Sequence, residues 1–238
     1  MEITKITMEE FEAFKEKTRS IIVPFGSVEE HGQHLPLGTD TMHALEIARL
    51  TATLRPVFVG APVWYGLCRS TSEHPGTITI RGTTLRSLAI DLMTGYFDKG
   101  LTNQILLSGH AGGTHMCYLV DAAEEVVKRL PGIRCAVLSI IDLVKDSCSS
   151  IVETPGDSHA GEVETSIIQA MMPELVKGTS KKEYPNFPKY LISRQKRIYW
   201  RGGVWGDPQK ASPEKGHNIL KLEAKRVAEI LDMLEEEV

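Results

Sequence analysis

The sequence predicts a single α/β domain, a three-layer α/β/α sandwich around a mostly parallel sheet. Short apolar runs alternate along the chain with longer segments of helical spacing. This alternation is typical of parallel strands that are covered by helices on both faces. The 238 residues suit one domain with a sizeable core. Because no internal repeat or linker-like composition divides the chain, we expect one domain over residues 1–238.

The apolar runs and the helical spacing place the elements in order. Strands are predicted at residues 20–25, 57–61, 77–80, 104–108 and 134–141. Helices are predicted at residues 8–18, 41–54, 83–98, 114–130, 162–172 and 213–237. Gly100 suits the end of the third helix, and Pro213 suits the first turn of the last one. Residues 178–210 are rich in proline and glycine and are expected to be irregular.

Charge and composition exclude several classes of protein. The net charge of -4 argues against a nucleic-acid binder, which needs a basic surface. No segment approaches the roughly 20 apolar residues that span a bilayer, and the N-terminal segment lacks the apolar core of a signal peptide. We therefore expect a cytoplasmic protein without a membrane partner. The cysteines, Cys68, Cys117, Cys135 and Cys148, are scattered and predict reduced, mostly buried thiols rather than a zinc–thiolate site.

The loop after the first predicted strand is the first candidate site. Glu29 and His31 are two residues apart, so an extended backbone points both side chains to the same side. Asp40 follows at the start of the next helix, from where it could turn back, and His34 lies between. His and carboxylate side chains are favoured ligands of divalent Zn, Mn or Fe. An ordinary polar loop in which Asp40 caps the helix would also explain the pattern.

A glycine-rich turn follows the fourth predicted strand. His110 lies at the strand end, and Gly112 and Gly113 precede the next helix. The segment fits neither G-x-G-x-x-G nor a P-loop. The glycines instead allow the backbone to pass close to a metal or a substrate. A structural, hydrogen-bonded His110 is the alternative, but the first candidate site favours a ligand.

A third polar segment lies where a loop becomes a helix. His159 is followed by Glu162 and Glu164. Acidic residues in a first turn are common because they suit the helix dipole. A histidine three residues before a glutamate, at a third loop-to-helix boundary, makes coincidence a weaker explanation.

Together these segments resemble the creatininase family. The matching motifs are Glu29-x-His31-x8-Asp40, Ser108-Gly109-His110-x-Gly112-Gly113, His159-Ala-Gly-Glu162-x-Glu164, a fourth segment from Gly203 to Gly216 and a weaker one from His74 to Thr77. They occur in the family's order, from about residue 5 to the C-terminus. The resemblance implies a metal-dependent amidohydrolase with two divalent ions per chain, Zn, Mn or Fe, at the strand ends.

The resemblance also implies which residues bind the ions. Glu29, Asp40 and His110 would hold one ion, and His31 and Asp40 would hold the other, so that Asp40 bridges the two.

The remaining carboxylate ligand is less directly given by the resemblance. In creatininase it lies just after the strand-end histidine, where this chain has Gly112. Many relatives instead have a glutamate in the third motif, which points to Glu162. Glu164 is the competitor for that role and otherwise would orient a ligand or a water.

The resemblance implies hydrolysis of a C–N bond by a metal-activated water. His159 is the predicted acid–base residue that protonates the leaving nitrogen. His34 is expected behind the ligands, and His74 is expected either to contact the substrate or to shape the turn before Gly76. No nucleophile elbow surrounds a serine, so a covalent route is not indicated.

The substrate is expected to be a small-molecule amide. The creatinine-specific enzyme has bulky aromatic residues where this chain has Ala111, Ile141 and Pro155. Creatinine is therefore less expected than another amide. Relatives that remove formyl groups from pyrimidine intermediates or trim a modified peptide give two alternatives.

Two non-enzymatic alternatives are a nucleotide-binding protein, which would not explain the Glu29–Asp40 cluster, and a degenerate metal-binding protein. The resemblance also implies a homo-hexamer.

Overall fold

The structure is a computed structural model that describes residues 1–236. Four parallel strands form one sheet in the order β2-β1-β3-β4. They are β1 (Ser20–Phe25), β2 (Phe58–Val59), β3 (Asn103–Ser108) and β4 (Arg134–Ser139). β1 and β3 pair along their whole length and occupy the centre of the sheet. Their carboxyl ends therefore lie side by side.

Within residues 1–236, seven α-helices cover the two faces of this sheet. They are α1 (Met8–Lys15), α2 (Thr39–Leu54), α3 (Gly82–Asp98), α4 (Gly113–Arg129), α5 (Ile140–Ser147), α6 (Glu162–Met171) and α7 (Pro213–Glu236). Core residues of α2, α5, α6 and α7 pack on one face, and those of α3 and α4 pack on the other, together with partly buried side chains of α1. The predicted three-layer α/β/α sandwich is confirmed.

The central strands are buried on both faces, as their uninterrupted apolar runs predict. Ile22 of β1 belongs to the core on one side, whereas Ile21, Val23 and Phe25 belong to the core on the other. Each fully buried aliphatic or aromatic side chain contributes about 1.5–3 kcal/mol. This burial holds β1 and β3 rigid beneath the polar loops that follow them.

Two predicted strands are corrected by the structure. Residues 77–80 form no strand: Ile78 makes a single antiparallel bridge to Val28, whose neighbours lie in a loop, so no ladder propagates. The last strand ends at Ser139 rather than residue 141, because Ser139 caps α5 by accepting a hydrogen bond from the amide of Asp142. The predicted end of the last helix at Glu237 lies outside the described residues.

No helix in the described part of the chain is both long and apolar enough to cross a membrane.

Candidate active site

The polar segments of the sequence meet at the carboxyl ends of β1 and β3. Glu29 and His31 lie in the loop after β1, His110 lies just beyond β3, and Asp40 lies in the first turn of α2. Gly109 allows the loop after β3 to touch α2, because a Cβ there would lie 1.9 Å from the carbonyl oxygen of Asp40. The parallel topology therefore brings distant parts of the chain to one edge of the sheet.

Asp40 is the centre of this cluster. Its Oδ2 lies 3.3 Å from Nδ1 of His110, which is also 2.7 Å from Oε2 of Glu29. Its Oδ1 lies 3.0 Å from Nε2 of His31, which is also 3.5 Å from Oε2 of Glu164. All five side chains are buried. One carboxylate thus presents its two oxygens to two separate ligand sets, which is the arrangement of a bridging ligand.

The imidazole rings of His31 and His110 are each held by the nitrogen that points away from the carboxylates. Nδ1 of His31 donates to the carbonyl oxygen of Glu29 at 3.1 Å, and Nε2 of His110 donates to that of Leu67 at 3.1 Å. These bonds orient each ring so that the other nitrogen faces the carboxylates. A backbone carbonyl on the far nitrogen is the usual support of a metal-bound histidine. The donor set and its support therefore fit two divalent metal ions.

The charges of the cluster agree with that fit. Burial would raise the pKa of Asp40, but the charge of His31 holds it well below its usual range. Burial also opposes ionisation of Glu29, but His110 lowers its pKa to about 2. Conversely, burial would lower the pKa of both histidines, and the facing carboxylates raise it well above the ordinary value. Divalent cations would supply the positive charge that these buried carboxylates require.

Two hydroxyl groups complete the support of the carboxylates. The hydroxyl of Ser27 lies between Asp40 and Glu29, within hydrogen-bonding distance of both. The hydroxyl of Thr71 donates to the other oxygen of Glu29. Neither residue was singled out by the sequence, because a lone Ser or Thr in a loop carries no recognisable signal.

Glu162 does not join the cluster, contrary to the prediction that it is a ligand. Its buried carboxylate accepts hydrogen bonds from the amide of Thr154 at 2.7 Å and from Nζ of Lys215 at 2.6 Å. Glu164 faces the cluster instead and also accepts from the amide of Ala160 at 2.5 Å. Residues two apart on a helix are rotated by about 200° about its axis, so Glu162 and Glu164 point in nearly opposite directions.

His159 lies beside the second ligand set. Its ring centroid is 4.2 Å from that of His31 and 5.1 Å from that of Trp200. Its Nε2 hydrogen-bonds to the carbonyl oxygen of Glu30 at 2.8 Å, and a carboxylate oxygen of Glu30 lies 3.5 Å away. Burial and the neighbouring His31 lower the pKa of His159, but the carboxylates around it raise it above the ordinary value overall.

His34 and His74 lie outside the ligand cluster. His34 hydrogen-bonds to the hydroxyls of Ser180 at 2.9 Å and Thr165 at 2.8 Å. Burial, followed by the charge of His31, lowers its pKa to about 4, so this imidazole is neutral. His74 donates from Nε2 to the carbonyl oxygen of Trp200 at 2.7 Å. Both histidines therefore position loops around the site.

A cleft of about 220 Å³ opens onto the cluster. His159 and Glu164 line it together with Trp200, Trp205 and Gly112. Gly112 adds no side chain, as the sequence indicated, and its neighbour Ala111 is equally small. The cleft is thus polar at its base and aromatic on one wall, which suits a small molecule or the end of a chain.

His115 of α4 closes a ring of hydrogen bonds around His110. Its Nδ1 accepts from the amide of Leu67 at 3.1 Å, and its Nε2 lies 3.2 Å from Oγ of Ser108. Ser108 in turn donates to the carbonyl oxygen of His110 at 2.7 Å. The carbonyl oxygen of Leu67 also accepts from the ring of His110, so these hydrogen bonds form a closed ring through His110, Leu67, His115 and Ser108.

Cys68 lies beside the first ligand set, although the scattered cysteines predicted no zinc–thiolate site. Its sulfur and one ligand atom each of Glu29 and His110 all lie within 4.8 Å of one another. The side chain is fully buried. No second ligand stands near Cys68 in the sequence, so only the fold reveals this proximity.

The family of the chain follows from comparison with known proteins. The family model described as Creatininase, creatinine amidohydrolase, matches residues 4–231. The chain therefore belongs to the creatininase family, and the resemblance seen in its motifs is confirmed.

Named relatives extend this result to the kind of enzyme. The mycofactocin precursor peptide peptidase of Mycobacterium ulcerans is 31% identical over 222 residues, which cover 84% of this chain and 80% of that protein. The 3-dehydro-scyllo-inosose hydrolase of Thermotoga maritima is 26% identical over 223 residues, which cover 85% of this chain and 69% of that protein. The creatinine amidohydrolase of Pseudomonas putida is 24% identical over 249 residues, which cover 96% of this chain and 95% of that protein. The chain is a hydrolase of this family, as predicted.

Solved structures agree with the fold. A tryptophan-to-alanine variant of creatininase matches with a TM-score of 0.88 at 22% identity, covering 99% of both chains. Creatininase Mn matches with a TM-score of 0.88 at 22% identity, covering 98% of this chain and 97% of that one. A Zn-Zn type creatininase variant matches with a TM-score of 0.85 at 22% identity, covering 98% and 97%.

Proposed function

We propose that this hydrolase cleaves an amide C–N bond with a water activated by two divalent metal ions, Zn, Mn or Fe. The observation that carries the proposal is the bridging position of Asp40. Its two oxygens face His110 at 3.3 Å and His31 at 3.0 Å. A single buried carboxylate thus lies between two His–Glu pairs, as a ligand shared by two ions would. Solved creatininase structures described as Mn and as Zn-Zn type support Mn and Zn as the ions.

Two ligand sets share this bridging residue. Glu29, Asp40 and His110 would hold one ion, and His31, Asp40 and Glu164 would hold the other. Glu164 replaces Glu162 in this assignment, because only Glu164 reaches His31. When bound, the ions lower the pKa of a water and polarise the carbonyl of the substrate.

His159 supplies the proton that the reaction needs. An amide anion is a very poor leaving group, so the departing nitrogen must be protonated. His159 lines the cleft, and its bond to the carbonyl oxygen of Glu30 fixes the ring. Its raised pKa keeps the imidazole protonated to a higher pH than that of an ordinary histidine. Trp200 and Trp205 form an aromatic wall on one side of the cleft.

An amide other than creatinine is the substrate that this cleft supports best. Ala111 and Ile141 line the cleft and leave room beside the cluster. A peptide end is the specific alternative, because the mycofactocin precursor peptide peptidase is a relative at 31% identity. A formamide is compatible with the same chemistry.

Metal analysis combined with a hydrolysis screen tests this proposal. We expect about two Zn, Mn or Fe ions per chain in wild-type protein purified without chelator or His-tag. Asp40→Ala should lose most of both ions, whereas Asp91→Ala, which changes an exposed aspartate of α3, should keep them. Formamides, cyclic amides and short peptides are then screened with wild type and Asp40→Ala. Wild-type protein that binds no metal even after reconstitution would refute the mechanism.

We also propose that the chain assembles as a homo-hexamer in the cytoplasm, as the family resemblance implies. Light scattering at several protein concentrations measures the assembly. A monomer throughout would contradict it.

A further inference from the structure

We infer that the thiolate of Cys68 is a ligand of the metal ion held by Glu29 and His110. This inference rests on the proposed function, because it adds a ligand to the same two-metal site. The sulfur of Cys68 and one ligand atom from each of the other two side chains lie within 4.8 Å of one another, and all three residues are buried. With Asp40, the set becomes two carboxylates, one imidazole and one thiolate.

The distances are compatible with one shared ion. Zn–S bonds are about 2.3 Å and Zn–N bonds about 2.0 Å in tetrahedral sites, so neighbouring ligand atoms lie about 3.5 Å apart. The 4.8 Å limit on the separations among Cys68, Glu29 and His110 therefore requires these atoms to close by about 1.3 Å at most. The gap already present between His110 and Asp40, 3.3 Å, needs no closure.

The backbone fixes the sulfur in this position. The amide of Cys68 donates to the hydroxyl of Thr79 at 2.9 Å. The preceding residue, Leu67, is held at both ends, because its carbonyl accepts from His110 and its amide donates to His115. The same segment thus supports the imidazole ligand and presents the thiol beside it.

The polarity around Cys68 also favours a ligand over a packing residue. Buried free cysteines commonly behave as small apolar side chains in apolar surroundings. Cys68 instead faces a carboxylate and an imidazole that the proposed function assigns to a metal. Cys148, by comparison, is a buried cysteine within the apolar core formed by α2, α5, α6 and α7.

A thiolate ligand would make the two metal positions unequal. Four protein ligands would fill a tetrahedral set, so a water shared with the second position would make the first position five-coordinate. The position of His31, Asp40 and Glu164 has three ligands and keeps room for a water. A soft thiolate prefers Zn or Co to Mn, so the first position should reject Mn while the second accepts it.

Cobalt substitution tests the ligand directly. The probe is Co²⁺ titrated into metal-free protein, followed by absorption spectroscopy and by elemental analysis of bound cobalt. We expect a thiolate-to-cobalt charge-transfer band in the near ultraviolet for wild type and for the matched control Cys148→Ser. Cys68→Ser should lose this band. Its Zn²⁺ affinity should fall at least about 10-fold, the effect of losing even an outer-shell partner.

The outcomes separate this inference from the proposed function. Wild-type protein that binds cobalt without the charge-transfer band would overturn the Cys68 ligand and leave the two-metal hydrolase standing. Wild-type protein that binds no cobalt or zinc would overturn both. If Cys68→Ser fails to fold, X-ray absorption of the wild-type zinc form decides instead: a sulfur neighbour at about 2.3 Å is expected, and its absence refutes the inference.

Discussion

Glu162 and Glu164 lie two residues apart in the first turn of α6, and the structure gives them opposite surroundings. Glu164 faces His31, whereas Glu162 faces Lys215. Replacing each by glutamine preserves size, removes the charge and replaces one acceptor oxygen by an NH2 donor. We predict that Glu162→Gln lowers stability but retains two metal ions per chain. Glu164→Gln should instead bind fewer metal ions.

The contacts of each carboxylate set the expected magnitudes. Glu162 is fully buried and accepts from Lys215 and from the amides of Glu153 and Thr154. A hydrogen bond to a charged group contributes about 1.5–3 kcal/mol, and glutamine would turn a donor towards these donors. We therefore expect a loss of about 3 kcal/mol, or roughly 6–12 °C in Tm for a chain of this size. Glu164→Gln removes a charged ligand and should weaken metal binding at least about 10-fold.

Two measurements on the same three proteins separate these effects. Thermal and urea unfolding of metal-free wild type, Glu162→Gln and Glu164→Gln give the intrinsic stability of each fold. Zinc titration against a chromophoric chelator then gives the affinity and the stoichiometry. Metal-free protein is needed for the first measurement because a bound ion would stabilise the folded state by mass action.

One pattern of results would refute the reasoning. If Glu162→Gln loses an ion while Glu164→Gln binds two with wild-type affinity, the orientation of α6 is wrong and the sequence-based assignment of Glu162 was right. If both variants lose metal affinity equally, the first turn of α6 acts as one unit, contrary to the separate contacts of Glu162 and Glu164.

Two further predictions concern residues behind the cluster. His43 and Glu223 form a fully buried pair at 2.8 Å, so His43→Gln should cost about 3 kcal/mol in urea unfolding. Burial alone lowers the pKa of His43, but Glu223 raises it overall. The difference in free energy of unfolding between wild type and His43→Gln should therefore be full below about pH 6.5 and shrink as the pH rises through the raised pKa. A difference that does not change with pH would contradict the ion pair. His115→Phe should break the bonds to Leu67 and Ser108 and weaken zinc binding by about 10- to 100-fold, with partial rescue in His115→Gln. Unchanged zinc affinity in His115→Phe would show that this ring of hydrogen bonds does not position a ligand.

Much of the fold could be predicted because each element carries its own pattern. The runs that became β1 and β3 are apolar without interruption, and that pattern suits strands covered on both faces. The boundary between β4 and α5 was missed because the apolar pattern continues through Ile140 and Ile141. Ser139 with Asp142 three residues later was the available signal of a helix start.

The candidate site was predictable to the extent that its residues cluster in the sequence. The spacing of Glu29, His31 and Asp40 indicated ligands, and His110 followed from its place at a strand end. Cys68 and His115 could not be found in this way, because the hydrogen bonds and distances that matter join separate loops. Their roles depend on how the segment around Leu67 passes over the end of β3, which only the fold defines.

The choice between Glu162 and Glu164 shows why periodicity alone was insufficient. Helical spacing places the two side chains on opposite sides of α6, but either side could face the sheet edge. Lys215 of α7 favours this rotation, because its Nζ binds Glu162 at 2.6 Å on the side away from His31. Ala160, which adopts a positive φ of 47°, then donates its amide to Glu164. A left-handed alanine costs about 1–2 kcal/mol, and this charged hydrogen bond offsets that cost. The ion pair on one side of α6 therefore orients the carboxylate on the other towards His31.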